Sequence, residues 1–586
     1  MKILTEKRIQ VVSKIIFVFL FVAFLAVAAD VLFLGSITEE IWWSSYAIPT
    51  MTKRVNVAAV FVWLALLVLY GFVLKKTSFK AVGKNVVIVA FMVLVMTHNF
   101  TTEKFVNTSS ENELIYDAYS ESLIIEKMVS GAMHGEDKKG MMFYHDSIFG
   151  DIWQIYNRGG EGITNANFSE GYAVGVPGAF ALPNVEFAKQ ALENTAAVVL
   201  AQKEYRVTTL EENSDFIMVY TDCDRVFTTD QDGAIRHIVL KDENGKELVT
   251  KNTNDYNSQY GLHAQAVEAF YHYIYGKYTL ELMQIIAAIS LAVVLSMICF
   301  LINKKYNALM AAVFFITFAF SPYITIFAKN LYWLEFLWFI PVLIGLFCAV
   351  YTENKVAKGL SCIAMFFAVL VKSLCGYEYL STILIAAMSF LAIDMVYAFY
   401  KKEKEKVWNV FKITVVLSIA ALAGFFVAII IHGFALGDGN IFEGMLKVYE
   451  TAGAKNLAGG SGAITMPEHY VVALRDPISM MIEGYFNLSA NIVYGISGNW
   501  FGIISMLPAV FILYDHEIKE RTDIKMVTMY LVFLMATLSW LILAEGHSVI
   551  HGFLNSVLWY FGFVQICLYM IIDRVIKFLK GKDIPS

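Results

Sequence analysis

The sequence predicts an α-helical polytopic membrane protein of about twelve transmembrane helices with a small α+β extracytoplasmic domain. Three observations predict it. The 586 residues are 58% hydrophobic and only 16% charged, and the mean hydropathy is +0.58, too little polar surface for a soluble chain of this length. The apolar residues gather in runs near the roughly 20 residues that a helix needs to cross a hydrocarbon core. Lys and Arg fall unevenly between those runs.

The runs are Val12–Leu34, Val57–Leu74, Asn85–His98, Leu282–Ile302, Ala308–Phe327, Leu331–Tyr351, Leu360–Val371, Leu380–Phe399, Val410–Ile431, Phe501–Tyr514, Met526–Leu543 and Val549–Ile572. With the N-terminus inside and one crossing per run, the short inner segments hold about 24 Lys and Arg, among them Lys7, Arg8, Lys75, Lys76, Lys304, Lys305, Lys401, Lys402 and Lys580. The short outer loops hold about four: Lys53, Arg54, Lys329 and Lys372. A missed or invented helix would invert that bias downstream, and it does not invert. Both termini are therefore expected in the cytoplasm of a cell-membrane protein. Ala26-Val27-Ala28 looks like a signal-peptidase site, but the apolar stretch continues through Leu34, so a retained anchor is expected. Aromatic residues, 15% of the chain, often sit near run ends, as in an interfacial belt. The net charge of −6 without a basic patch argues against nucleic acid as a partner.

This layout divides the chain into residues 1–98, with three spans; 99–278, an extracytoplasmic α+β domain; 279–431, a six-helix membrane region; 432–500, an extracytoplasmic Gly-rich loop and interfacial helix; and 501–586, with three spans and a cytoplasmic tail. In the second part Glu113–Val129 has helical spacing, and Pro183-Asn184 opens a second expected helix through about Glu204. Strands are expected at Phe216–Tyr220, His237–Leu240 and Glu247–Lys251, separated by the turn formers Asp232-Gly233 and Asn244-Gly245. In the fourth part an amphipathic stretch from Tyr470 to Tyr494 reads as a helix lying on the membrane. The six cysteines form no CxxC pair, so neither a disulfide framework nor a zinc site is indicated, and only Cys223 and Cys375 lie outside apolar interiors.

Candidate functional residues collect in the short outer links. Asp117 and Glu121 stand four apart and share one helix face. Gln259 and His263 precede the fourth span. Lys329, Tyr332 and Glu335 join the fifth and sixth spans, and Lys372, Tyr377 and Glu378 join the seventh and eighth. Arg475 lies in the second long segment, and His547 and His551 join the last two spans. Ionisable groups at one membrane depth are functional candidates. Each also has a plain reading: a solvated helix face for Asp117 and Glu121, lysines that snorkel to lipid, belt aromatics, and Asp394 facing the cytoplasm. The i, i+4 pair His547 and His551 leaves a divalent metal open as a cofactor, without a third ligand nearby. Glycosylation-type triplets at Asn99, Asn107, Asn167 and Asn487 decide nothing.

The segment Glu113-Leu114-Ile115-Tyr116-Asp117-Ala118-Tyr119-Ser120-Glu121, placed after a span and opening a helix, resembles the acidic outer loop of the GT-C glycosyltransferases. Ser258-Gln259-Tyr260-Gly261-Leu262-His263 resembles a Ser-Gln-x-Gly-Leu-Gln stretch of uncharacterised bacterial members, with His263 where Gln is expected. The likeness covers Asn85 to Ile572 in layout. Two spans precede the one that leads into the acidic loop, and that loop lacks an adjacent Asp-Glu pair, so Asp117 and Glu121 both stand as catalytic candidates. The resemblance implies a polyprenyl-phosphate-linked sugar as donor and an extracytoplasmic glycan, lipid or protein as acceptor. It implies an acidic base, inversion at the anomeric carbon, and cations such as Lys329, Lys372 or Arg475 beside the leaving phosphate. Other classes fit the layout too: a transporter or lipid flippase, an outer-face glycan ligase or polymerase using Arg475, His547 and His551, or a non-enzymatic assembly protein.

Overall fold

In the computed structural model the described residues are 83–103, parts of 120–127 and of 142–273, 279–453 except 438, and 485–580 with short breaks. The expected spans Val12–Leu34 and Val57–Leu74 lie outside them. Every expected run from Asn85 onward contains a helix: α1 (Gly83–Thr102), α3 (Thr279–Lys305), α4 (Ala308–Phe320), α5 (Phe336–Val350), α6 (Lys355–Cys375), α7 (Leu380–Tyr400), α8 (Lys404–Leu436), α10 (Phe501–Glu517), α11 (Ile524–Leu543) and α12 (Phe563–Leu579). Two further helices are not spans: α2 (Leu262–Tyr273) and α9 (Ile441–Val448). Among the described residues 7 helices are long and apolar enough to cross a membrane, or 8 if the 3-10 stretch Gly552–Tyr560 and α12, bent by 48° at their junction, form one span.

Local chemistry sets the helix starts. Asn307, Asn354 and Asp523 each accept backbone N–H bonds at the beginnings of α4, α6 and α11. These starts share one end of the bundle with Lys304 and Lys305. Lys304 donates to the Tyr351 hydroxyl at 2.7 Å, and Lys305 pairs with Asp394 at 2.5 Å and donates to the Ala349 carbonyl at 3.0 Å. Asp394 is therefore held in an ion pair at this lysine end. The polar links with the candidate residues lie at the opposite end.

Two expected spans are interrupted there. The run Ala308–Phe327 breaks at Ser321 into α4 and a single turn, Pro322–Thr325. The run Leu331–Tyr351 becomes helical only at Phe336. The non-helical backbone between them is satisfied inside the protein, as it must be away from water. Asn99 donates its amide to the Ala319 carbonyl at 2.6 Å and to the Thr325 hydroxyl at 3.1 Å. Asn330 Oδ1 accepts from the backbone of Tyr332 and Trp333. Asn99 is consequently buried within the bundle, not a surface acceptor for a glycan.

Of the stretch Tyr470–Tyr494, residues 470–484 lie outside the described residues, and much of the rest packs into the protein. Tyr485, Leu488, Ala490, Ile492 and Val493 belong to the main core. Trp559 Nε1 donates to the Tyr485 carbonyl and Tyr560 to the Ile492 carbonyl, each at 2.6 Å, while the N–H of Tyr494 reaches the Phe320 carbonyl at 2.9 Å. Buried aromatic donors thus satisfy backbone carbonyls of this segment inside the core.

Between α1 and α2 the described residues hold nine strands: β1 (Met142–His145), β2 (Gly171–Ala173), β3 (Ala179–Pro183), β4 (Ala197–Leu200), β5 (Lys203–Glu212), β6 (Phe216–Thr221), β7 (Ala234–Ile235), β8 (Val239–Lys241) and β9 (Thr253–Tyr256). Seven form an antiparallel sheet in the order β7-β2-β3-β6-β5-β4-β8, and β1 pairs with β9. Phe180 lies opposite Val219 and Val198 opposite Leu240, four buried side chains on the sheet core. The helix expected from Pro183 to Glu204 does not run that far: residues 184–191 lie outside the described residues, Leu192 is helical, and Ala197–Leu200 and the start of β5 are strands. Val198 and Val199 gain cross-strand partners on both sides, Tyr205 and Glu204 on β5 and Leu240 and Val239 on β8, which outweighs the helical preference of the Ala-rich sequence. The Asn244-Gly245 turn forms as expected, with Gly245 at φ +75° and Asp242 Oδ1 accepting from Asn244 N at 2.8 Å. Strand β9 leads directly into the candidate site.

Candidate functional site

Three separate stretches converge at the end of the bundle opposite the lysines. They are the turn between β9 and α2, the loop before α5, and the loop between α6 and α7. Gln259 is the hub. Its amide nitrogen donates to the Tyr332 hydroxyl at 2.6 Å and also to Glu378 Oε1. Tyr332 shares a second hydrogen bond, 3.1 Å, with the Tyr256 hydroxyl at the end of β9. Lys372 is buried; its ammonium donates to the Gly376 carbonyl at 2.7 Å and lies 3.9 Å from Glu378 Oε2. A side chain at Gly376 would fill this cradle, since its Cβ would fall 2.2 Å from Glu378 Oε2 and 3.3 Å from Gln259 Nε2.

His263, on the first turn of α2, packs edge-on to Tyr332 with ring centroids 5.9 Å apart. It is buried, and burial first, then the nearby Lys372 cation, lowers its pKa to about 3. The imidazole is therefore neutral at ordinary pH, and neither ring nitrogen has a hydrogen-bond partner. Gln259 Oε1, Asn257 Oδ1, Ser258 Oγ and Ser373 Oγ are likewise buried and unpartnered. Buried polar atoms are normally paired, so a group of exceptions in one place marks seats for water or for a ligand. The set mixes acceptors, hydroxyls and a neutral imidazole beside one cation, which suits a ligand rich in hydroxyl groups with an anionic part.

Glu121 joins the acidic segment to this cluster. It is fully buried in a helical stretch within 120–127, and its Oε1 accepts from Leu331 N at 2.8 Å and from Gln284 Nε2 at 3.1 Å. Lys127 in the same stretch pairs with Glu268 of α2 at 3.2 Å. Lys329 is not a lone lysine but pairs with Glu103 at 2.7 Å at the end of α1. Glu335, ahead of α5, is buried with both carboxyl oxygens unpartnered. Tyr377 stands beside the cluster. Its hydroxyl shares a 2.9 Å hydrogen bond with His432 Nδ1, and burial, then Glu378, raises its pKa.

Both loops end in strained backbone. Leu334 (φ +41°) and Tyr379 (φ +61°) occupy the left-handed region without being glycine. Such residues cost about 1–3 kcal/mol each and persist where packing over-determines them. Here Trp333 stacks on Tyr379 at 5.8 Å, and Trp338 packs edge-on to the same ring at 5.2 Å.

Of the residues singled out in the sequence, Gln259, His263, Tyr332, Lys372 and Glu378 come together, and Glu121 contacts their loop. Asp117, Arg475, His547 and His551 lie outside the described residues. The Tyr256 and His432 contacts were not expected: Tyr256 sits in a strand with no motif, and His432 closes an apolar helix. Among the described residues no group of three or more His, Cys, Asp or Glu is placed to hold a metal ion. All six cysteines are free thiols, and Cys375 is buried. No protein-family model, curated protein or solved structure matches this chain.

Proposed function

We propose that this chain is an integral membrane glycosyltransferase that moves a sugar from a polyprenyl phosphate to an extracytoplasmic glycan, lipid or protein. The observation that carries the reading is the hydrogen bond from Leu331 N to Glu121, which ties the acidic segment to the loop bearing Tyr332. One helical turn before Glu121 in sequence stands Asp117, the carboxylate proposed as base. It takes the proton of the acceptor hydroxyl, whose oxygen bonds to the anomeric carbon as the bond to the lipid phosphate breaks. The phosphate leaves with that electron pair on the face opposite the attack, so configuration inverts. Lys372 supplies positive charge near the departing oxygen. The unpartnered atoms of Asn257, Ser258, Gln259, His263 and Ser373 receive sugar hydroxyls. In this reading the chain has about twelve spans, both termini in the cytoplasm and the site on the far side, supported by the lysine-rich opposite end.

The test compares cell-envelope glycans of a deletion strain with strains carrying the intact gene or Asp117→Asn. Loss of one sugar in both the deletion and the variant, at normal expression, is expected. Wild-type glycans in the Asp117→Asn strain remove that residue from the role. An unchanged envelope in the deletion strain, with no second copy of the gene, moves the reading to transport or assembly.

A further inference from the structure

The last turn of α8 and helix α9 form a tight hairpin whose outer face has no partner among the described residues. Asn440 caps α9 by accepting from Glu443 N, and Lys447 reaches back to the Leu436 carbonyl at 3.4 Å. The inner face is glycine on glycine: a Cβ on Gly444 would fall 1.6 Å from the Gly433 carbonyl oxygen. The opposite face carries Phe442, Met445, Leu446 and Tyr449, with Phe442 84% and Leu446 57% exposed. That i, i+3, i+4, i+7 spacing makes one apolar stripe along the helix. The stripe continues the exposed apolar side chains Ile419, Leu422, Phe426, Ile430 and Phe434 on α8, the face that a spanning helix turns to lipid. Among the described residues the charges near it are Glu443, paired with Lys447 at 3.1 Å, and Glu450, and these form no basic patch to attract anionic headgroups.

From this continuity we infer that α9 is a membrane-interfacial helix whose stripe inserts at the boundary between headgroups and acyl chains at the site end of the bundle. Insertion is apolar and independent of lipid charge. The same hairpin touches the site: Thr451 Oγ1 donates to the Asn257 carbonyl at 3.2 Å, and His432, one turn before Leu436, bonds to Tyr377. The membrane surface thereby becomes one wall of the ground on which the polar cluster stands. This inference rests on the helices spanning a membrane, and not on the chemistry of sugar transfer.

The test places p-benzoylphenylalanine at position 442 or 446 of the full-length protein in nanodiscs of phosphatidylcholine, with or without phosphatidylglycerol. Position 419 on α8 serves as the spanning control and position 443 as the polar-face control. These side chains are exposed, so the fold tolerates the replacement. Lipid adducts at 442 and 446, at least fivefold above 443 and equal in both lipid mixtures, are expected. Adducts at 419 with none at 442 and 446 overturn the inference while leaving the spans intact. Crosslinks from 442 to this chain or to a second copy overturn it too. Absence of lipid adducts at 419 overturns the membrane reading itself. Yields that rise with phosphatidylglycerol overturn the apolar mode of insertion.

Discussion

Glu121 is held in place by its neighbours. Its Oε1 already accepts two hydrogen bonds, from Leu331 and Gln284. Glu121→Gln keeps an acceptor oxygen there and is expected to retain at least half of the wild-type activity. Glu121→Ala leaves a buried N–H and an amide without partner and is expected to cost about 1–3 kcal/mol, read as a lowered unfolding midpoint in detergent. His263 makes a pH prediction. Its folded pKa of about 3 lies below the ordinary 6.5, so between those values the unfolded chain binds a proton that the folded chain refuses. Stability is thus fully present above about pH 6.5 and declines toward pH 3, by up to ~1.4 kcal/mol per pH unit from this group. His263→Gln is expected to flatten that share of the slope in thermal unfolding at pH 7.5, 5.5 and 4.5; identical slopes for both proteins would refute it. The convergence of Gln259, His263, Tyr332, Lys372 and Glu378 was legible in the sequence, because polar residues are conspicuous between apolar runs. Which of them touch was not legible. The Gln259 bridge to both Tyr332 and Glu378 depends on two loops that end in left-handed residues, Leu334 and Tyr379, with no sequence mark.

At the scale of elements, glycine contacts decide more than propensity does. Gly444→Ala drives a methyl into the Gly433 carbonyl, a rigid backbone atom. The expected result is a hairpin that opens, a cost of roughly 1–3 kcal/mol, and faster tryptic cleavage after Lys447. Unchanged cleavage would mean that the α8–α9 hairpin adjusts without opening. Apolar runs gave the helices because length and hydropathy suffice for a membrane span. They misled where tertiary partners intervened. Val198 and Val199 became a strand because β5 and β8 flank them, and the segment from Tyr485 to Val493 was drawn into the core by Tyr323, Trp559 and Tyr560. An amphipathic pattern records that one face is apolar; it does not record whether lipid or protein covers it.

At the scale of the whole molecule, the two ends differ in charge, and that difference is measurable. With Cys223 and Cys362 replaced by Ser, the remaining thiols are buried. Lys402→Cys and Asn244→Cys are then expected to react with an impermeant maleimide from opposite sides of sealed vesicles. Labelling of both from one side would remove the crossed arrangement. One more property follows from the short helices beside the site. α4 has 13 residues and α5 has 15, and both are flush with the lysine end. At 1.5 Å per residue they rise about 20 Å and 22 Å, against a hydrocarbon core of about 30 Å. Laid upright in a bilayer, the loop between them, with the buried Tyr332, would lie some 8–10 Å below the headgroup plane. At that depth the loop is nearer to a molecule anchored in lipid than to one arriving from water. Bilayer thickness then sets how far the loop lies from water.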